Sequence, residues 1–95
     1  MVLERAEIVI KAGMMDEFME VFRATAFPLT QKFTGCLSFT ALRGVEDEDN
    51  VMFLAEWESV EAHLASRPEP AHEKFRQVVR PYVEHPVATV HFEPI

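Results

Sequence analysis

An α+β domain is predicted by three features of the sequence. Apolar and polar residues alternate near the start, apolar residues then recur every three or four positions from Met14, and two extended runs meet at the polar turn Gly44–Asp49 before more helical spacing and a last extended run. The order is β-α-β-β-α-β, and 95 residues hold one such domain, spanning 1–95, with no room for a second.

Each element has a local reason. From Leu3 to Lys11, Ala6, Ile8 and Ile10 fall on one face and Glu7, Val9 and Lys11 on the other, the period of a strand. Met14, Phe18, Phe22, Ala26, Leu29 and Phe33 form a helical stripe. Pro28 lacks an N–H and crowds the turn before it, so a kink or break is expected near Ala24 to Phe27, with Gly35 ending the segment. Cys36–Arg43 and Asn50–Trp57 read as strands of a hairpin. Ser59 suits the N-cap of a short helix reaching about Ala65, and Arg67-Pro68-Glu69-Pro70 breaks it. Phe75, Val78, Val79 and Tyr82 mark a further helix from Ala71 to Arg80, and His85-Pro86 leads into a strand from Val87 to Glu93. This is the ferredoxin-like order, which stacks helices on one face of a four-stranded antiparallel sheet.

Composition excludes several functions. Nine Lys and Arg against sixteen Asp and Glu give a net charge of −7, which repels phosphate backbones and anionic lipid, so neither nucleic acid nor a membrane is expected as a partner. Cys36 is the single cysteine, the four histidines lack the H-x-x-x-H spacing of a zinc site, and no glycine-rich phosphate loop occurs. Neither a pre-arranged metal site nor a nucleotide cofactor is predicted on these grounds. A start without a basic, then apolar, leader and without a long apolar run leaves the cytoplasm as the expected location. Val51-Met52-Phe53-Leu54-Ala55 is apolar at every position, so that strand needs cover on both faces. Helices cover only one, and packing sheet on sheet in a homodimer covers the other.

The motifs Lys11-Ala12-Gly13 with Glu17-Phe18, Gly35-Cys36-Leu37-Ser38-Phe39, Glu56-Trp57-Glu58-Ser59-Val60-Glu61-Ala62 and His63-Leu64-Ala65-Ser66 resemble those of the antibiotic biosynthesis monooxygenase family over nearly the whole chain. Ala12 and Thr34 stand where many members have proline, and Ser66 where many have the histidine of the short helix. The resemblance implies a dimeric α+β barrel. It also implies activities that range from cofactor-free oxygenation of phenols and quinols to haem degradation and the handling of small signalling molecules. Haem-degrading relatives carry an asparagine where this chain has Ala6, and a second tryptophan that it lacks.

His63 and His72 project from apolar helix faces, where they suit either ordinary boundary packing or a general base. With Trp57 they would line a cavity between helices and sheet, which Phe39 and Phe53 would shape for a flat aromatic ligand. The function expected is cofactor-independent monooxygenation of a small phenolic, quinol or polyketide-like substrate by molecular oxygen, with His63 or His72 as base. The alternatives are a non-catalytic protein that binds a small ligand such as haem, and an enzyme degrading a small carbonyl metabolite.

Overall fold

The computed structural model describes all 95 residues. Strands β1 (Val2–Ile10), β2 (Cys36–Arg43), β3 (Asn50–Trp57) and β4 (Val83–Phe92) form one antiparallel sheet in the order β2-β3-β1-β4. Helices α1 (Met15–Val21), α2 (Phe27–Thr30), α3 (Val60–Ser66) and α4 (Pro70–Val79) supply the second layer, and a single turn of 3₁₀ helix, Arg80–Tyr82, leads into β4. The α+β ferredoxin-like architecture read from the sequence is the one observed.

Pairing of Val2 with Trp57, Glu4 with Ala55, Ala6 with Phe53 and Ile8 with Val51 fixes which side chains share a face. Val51, Phe53, Ala55 and Trp57 point at the helices and are buried. Phe18, Phe22 and Ala26 from the first helical segment and Phe75 and Val79 from α4 close the core over them. Its centre is aromatic: Phe22 stacks on Phe53 at 5.9 Å, and Phe39 and Phe75 pack edge-on at 5.5 Å. Rings in such pairs contribute about 0.5–1.5 kcal/mol beyond their buried area.

The interruption expected before Pro28 takes the form of a π-helical segment, Phe22–Ala26, between α1 and α2. A wider turn there relieves the clash between the proline ring and the carbonyl one turn back, and the helix continues instead of breaking. Gly35 follows the helix and its short turn with φ +82°, a conformation that also brings it against α3. Strand β4 begins at Val83 rather than at Val87, so the expected boundary was four residues late. Proline is tolerated there because β4 is an edge strand and the ladder shifts register next to Pro86, which pairs with Ile8.

Opposite the helices, Met52 and Leu54 of β3 are half-buried, and Leu42, Val90 and Phe92 on the same face are exposed. In the single chain, therefore, β3 is covered on one side and largely bare on the other.

Candidate active site

Three local features assemble a polar cluster at the Trp57 end of the sheet. Ser59 caps α3, its Oγ accepting the Ala62 N–H at 3.0 Å, which sets the helix phase so that His63 faces inward. The break at Arg67–Glu69 restarts the chain as α4 and lets His72 come back against Phe33 and Ser66. Strands β1 and β4, paired through Glu4 and His91, bring a carboxylate and a third imidazole beneath the helices.

Trp57 is fully buried, and its Nε1–H donates to Glu4 Oε1 at 2.8 Å. His63, 3% exposed, stacks on the indole with centroids 4.6 Å apart. Its Nε2 lies 3.5 Å from Glu4 Oε1, long for a hydrogen bond and an ion pair only when the ring is protonated. Its Nδ1 lies 2.7 Å from His91 Nε2. With Glu4 ionised, the consistent protonation pattern puts the His63 proton on Nε2 toward the carboxylate, so that Nδ1 accepts the Nε2–H of His91. The result is a chain from buried Glu4 through His63 to half-buried His91. His72 sits beside it, with Nδ1 3.1 Å from Ser66 Oγ and its ring stacked on Phe33 at 4.3 Å.

Burial dominates the electrostatics. It pushes the His63 imidazole down to about 4, helped by His91 and Arg67. His72 is likewise pushed down to about 4 by burial and then by Arg76, His63 and Arg67, against a smaller opposing effect of Ser66. Both rings are thus neutral at pH 7. Burial raises the Glu4 carboxyl above its ordinary value, opposed by the Trp57 hydrogen bond and by His91 and Arg67. The Cys36 thiol, pushed up to about 11 by burial, is not a thiolate nucleophile at neutral pH.

The structure brings Trp57, His63 and His72 together, as the sequence led us to expect, but their rings pack on one another and on Phe33 where a cavity was expected. The three principal clefts open elsewhere. Phe39 lines one of about 310 Å³ with Phe27 and Cys36, whereas Phe53 lies in the central aromatic core. Glu4 and His91 were missed as site residues. Glu4 carried a usable signal: it shares the strand parity of Ala6, Ile8 and Ile10 and so places a carboxylate on the core face of β1. His91 carried none, since its strand has similar residues on both faces. No group of three or more His, Cys, Asp or Glu is arranged to hold a metal ion.

A four-stranded sheet with helices on one face, and a carboxylate–imidazole chain enclosed against a tryptophan between the layers, defines a ferredoxin-like α+β protein with an interior acid–base cluster. The chain belongs to the antibiotic biosynthesis monooxygenase family, whose sequence signature matches residues 1–78. Among solved structures it is similar to a Bordetella bronchiseptica protein assigned to the antibiotic biosynthesis monooxygenases, at TM-score 0.89 and 23% identity over 99% of this chain and 96% of that one. A Nitrosomonas europaea protein of the same assignment aligns at TM-score 0.81 and 15% identity over 100% and 99% of the two chains. A NIPSNAP domain protein of Burkholderia xenovorans aligns at TM-score 0.76 and 19% identity over 100% and 95%. At these identities the likeness is one of fold. No curated protein matches the sequence.

Proposed function

We propose that the protein is a cofactor-independent monooxygenase acting on a small electron-rich aromatic substrate, a phenol, quinol or anthrone-like ketone. The observation that carries this reading is the Glu4–His63–His91 chain, in which a buried carboxylate and the neutral His63 imidazole back a second, half-buried imidazole beside an aromatic interior. Family membership supports the oxygenase class.

Triplet oxygen reacts slowly with closed-shell molecules, and a substrate anion overcomes this by passing it one electron. For an anthrone-like CH₂ group, the base takes a proton to give the enolate, and electron transfer to O₂ gives a radical pair. Recombination forms a C–O bond to a peroxide anion, which takes a proton back. Loss of water by cleavage of the O–O bond then leaves a carbonyl, so that one O₂ becomes one carbonyl oxygen and one water. The substrate is the reductant throughout. His91, partly exposed on the edge strand, is the end of the chain that a ligand meets; charge gained there is shared inward through His63 toward Glu4. His72, packed on Phe33 beside Ser66, is the second candidate base. Trp57, stacked on His63, and the phenylalanine core that includes Phe53 keep water from the inner end of the chain.

The test is oxygen uptake by metal-stripped protein supplied with anthrones and dihydroquinones. A positioned base contributes about 10²- to 10⁴-fold, so His91→Ala, His63→Ala or His72→Ala should lower turnover by that order at whichever histidine takes the proton. Full activity in all three variants would remove the imidazoles from the mechanism, and no uptake by wild type on any of these substrates would favour a ligand-binding role on the same fold.

The bare sheet face supports a homodimer built sheet to sheet. Exposed Leu42, Val90 and Phe92 together with half-buried Met52 and Leu54, interleaved with Arg5, Glu7 and Glu56, make a partly apolar surface of the kind that a second copy covers.

A further inference from the structure

At the other end of β3, α1 and the π segment stand over the β2–β3 hairpin and leave an apolar cleft of about 220 Å³. Val51 marks this end and Trp57 the other, about 20 Å away at the rise of a strand, with the phenylalanine cluster between them. Phe18 and Val51, only 2% and 3% exposed, form part of the wall, with Met15, Phe22 and Ala41 around them. Two side chains there are charged, and both are arginines, Arg23 and Arg43.

In a chain of net charge −7, two guanidiniums bordering one apolar space are not explained by internal pairing. None of the four ion pairs involves Arg23. Arg43 has one partner, Glu48 at 3.6 Å, and the two side chains are 42% and 80% exposed, so that contact is weak and yields readily to a better acceptor. The π segment supplies Phe22 and Arg23, and such turns recur where a helix is shaped around a ligand. Both arginines are exposed at the rim, where a guanidinium beside apolar walls pairs with a carboxylate through two parallel hydrogen bonds.

We propose that this cleft binds a small amphipathic monoanion, a monocarboxylate carrying one or two rings. The apolar walls take the ring, and Arg23 and Arg43 take the carboxylate. Its size lies below the range of about 300–1,000 Å³ typical of drug-sized ligands, which limits the occupant to a small molecule. A dianion is disfavoured by the surrounding field, since Glu48 already shares Arg43.

Methyl-labelled methionine NMR tests this with 2-naphthoate and its neutral counterpart 2-naphthylmethanol as probes. Naphthoate should shift the Met15 and Met19 methyls saturably and leave Met1 in place, with naphthylmethanol at least fivefold weaker. The double variant Arg23→Gln/Arg43→Gln should bind naphthoate at least tenfold more weakly while its other methyl signals stay where they are in wild type. Equal affinity for the two probes, undiminished affinity in the double variant, or no shift at Met15 and Met19 would each overturn the proposal. A naphthoate response confined to the Trp57 indole signal would also overturn it, while leaving the oxygenase reading intact.

Discussion

Acidification should loosen this protein well above the pH at which its carboxylates titrate, because it buries neutral imidazoles. His63 is held at about 4 when folded, against an ordinary value of 6.5, so the unfolded chain binds more protons between those values. Stability from this group is therefore fully present above pH 6.5 and is lost as pH falls toward 4. The difference corresponds to about 2 kcal/mol lost between pH 7 and 5, and about 3 kcal/mol by pH 4. His72 adds loss of the same sign, reduced by its partial exposure. Glu4 opposes them: its carboxyl is raised in the folded state, so its protonation on acidification favours folding. His91 and Arg67 complete the groups facing His63. Urea unfolding at fixed protein concentration, followed by circular dichroism and the single tryptophan, should show a midpoint about 1.5 M lower at pH 5 than at pH 7. His63→Phe should flatten this dependence and Glu4→Gln should steepen it. An unchanged wild-type midpoint between pH 7 and 5, or an identical slope in His63→Phe, would refute the account of His63 as a buried neutral base.

Other outcomes follow from particular contacts. Trp57→Phe keeps a ring in the stack but withdraws the N–H from buried Glu4, and should cost about 1.5–3 kcal/mol in urea unfolding. Gly35→Ala should cost at least about 2 kcal/mol, since it adds a Cβ 2.9 Å from that of Ala62 to a positive-φ position, whereas Gly13→Ala meets nothing and bears only the roughly 1 kcal/mol backbone strain; equal losses would sink the steric argument. Sedimentation at micromolar concentration should give twice the chain mass for wild type and a shift toward monomer for Leu54→Arg, and a well-folded wild-type monomer would contradict the sheet-to-sheet reading.

The element order was legible because the first strand and helix keep distinct periods, Ala6, Ile8, Ile10 against Met14, Phe18, Phe22, and because a polar turn at Gly44–Asp49 separates the two strands of the hairpin. The start of β4 was not, because proline reads as a break unless a strand is known to lie at a sheet edge, and edge position belongs to the topology. That Trp57, His63 and His72 would lie together was read from two helix faces and the end of one strand. Its carboxylate and outer imidazole were not, since the closeness of Glu4, His63 and His91 depends on the register that joins β1 to β4. The imidazole–indole packing also required coordinates: face assignment says that rings meet, but not whether they leave space.

The π segment has a consequence for the length of the first helical layer. Phe18, Phe22, Ala26 and Thr30 are all buried, each four residues after the last. In a regular α-helix four residues overshoot one turn by about 40°, so three such steps would carry Thr30 about 120° away from the sheet. The wider π turns absorb that excess and keep the row in line. Eleven residues of regular α-helix complete about three turns, the same rotation that twelve complete here. A regularised helix replacing this one would therefore have to be one residue shorter to keep Thr30 inward. At equal length it would turn Thr30 to solvent and disturb the connection that leads through Phe33 to the imidazoles.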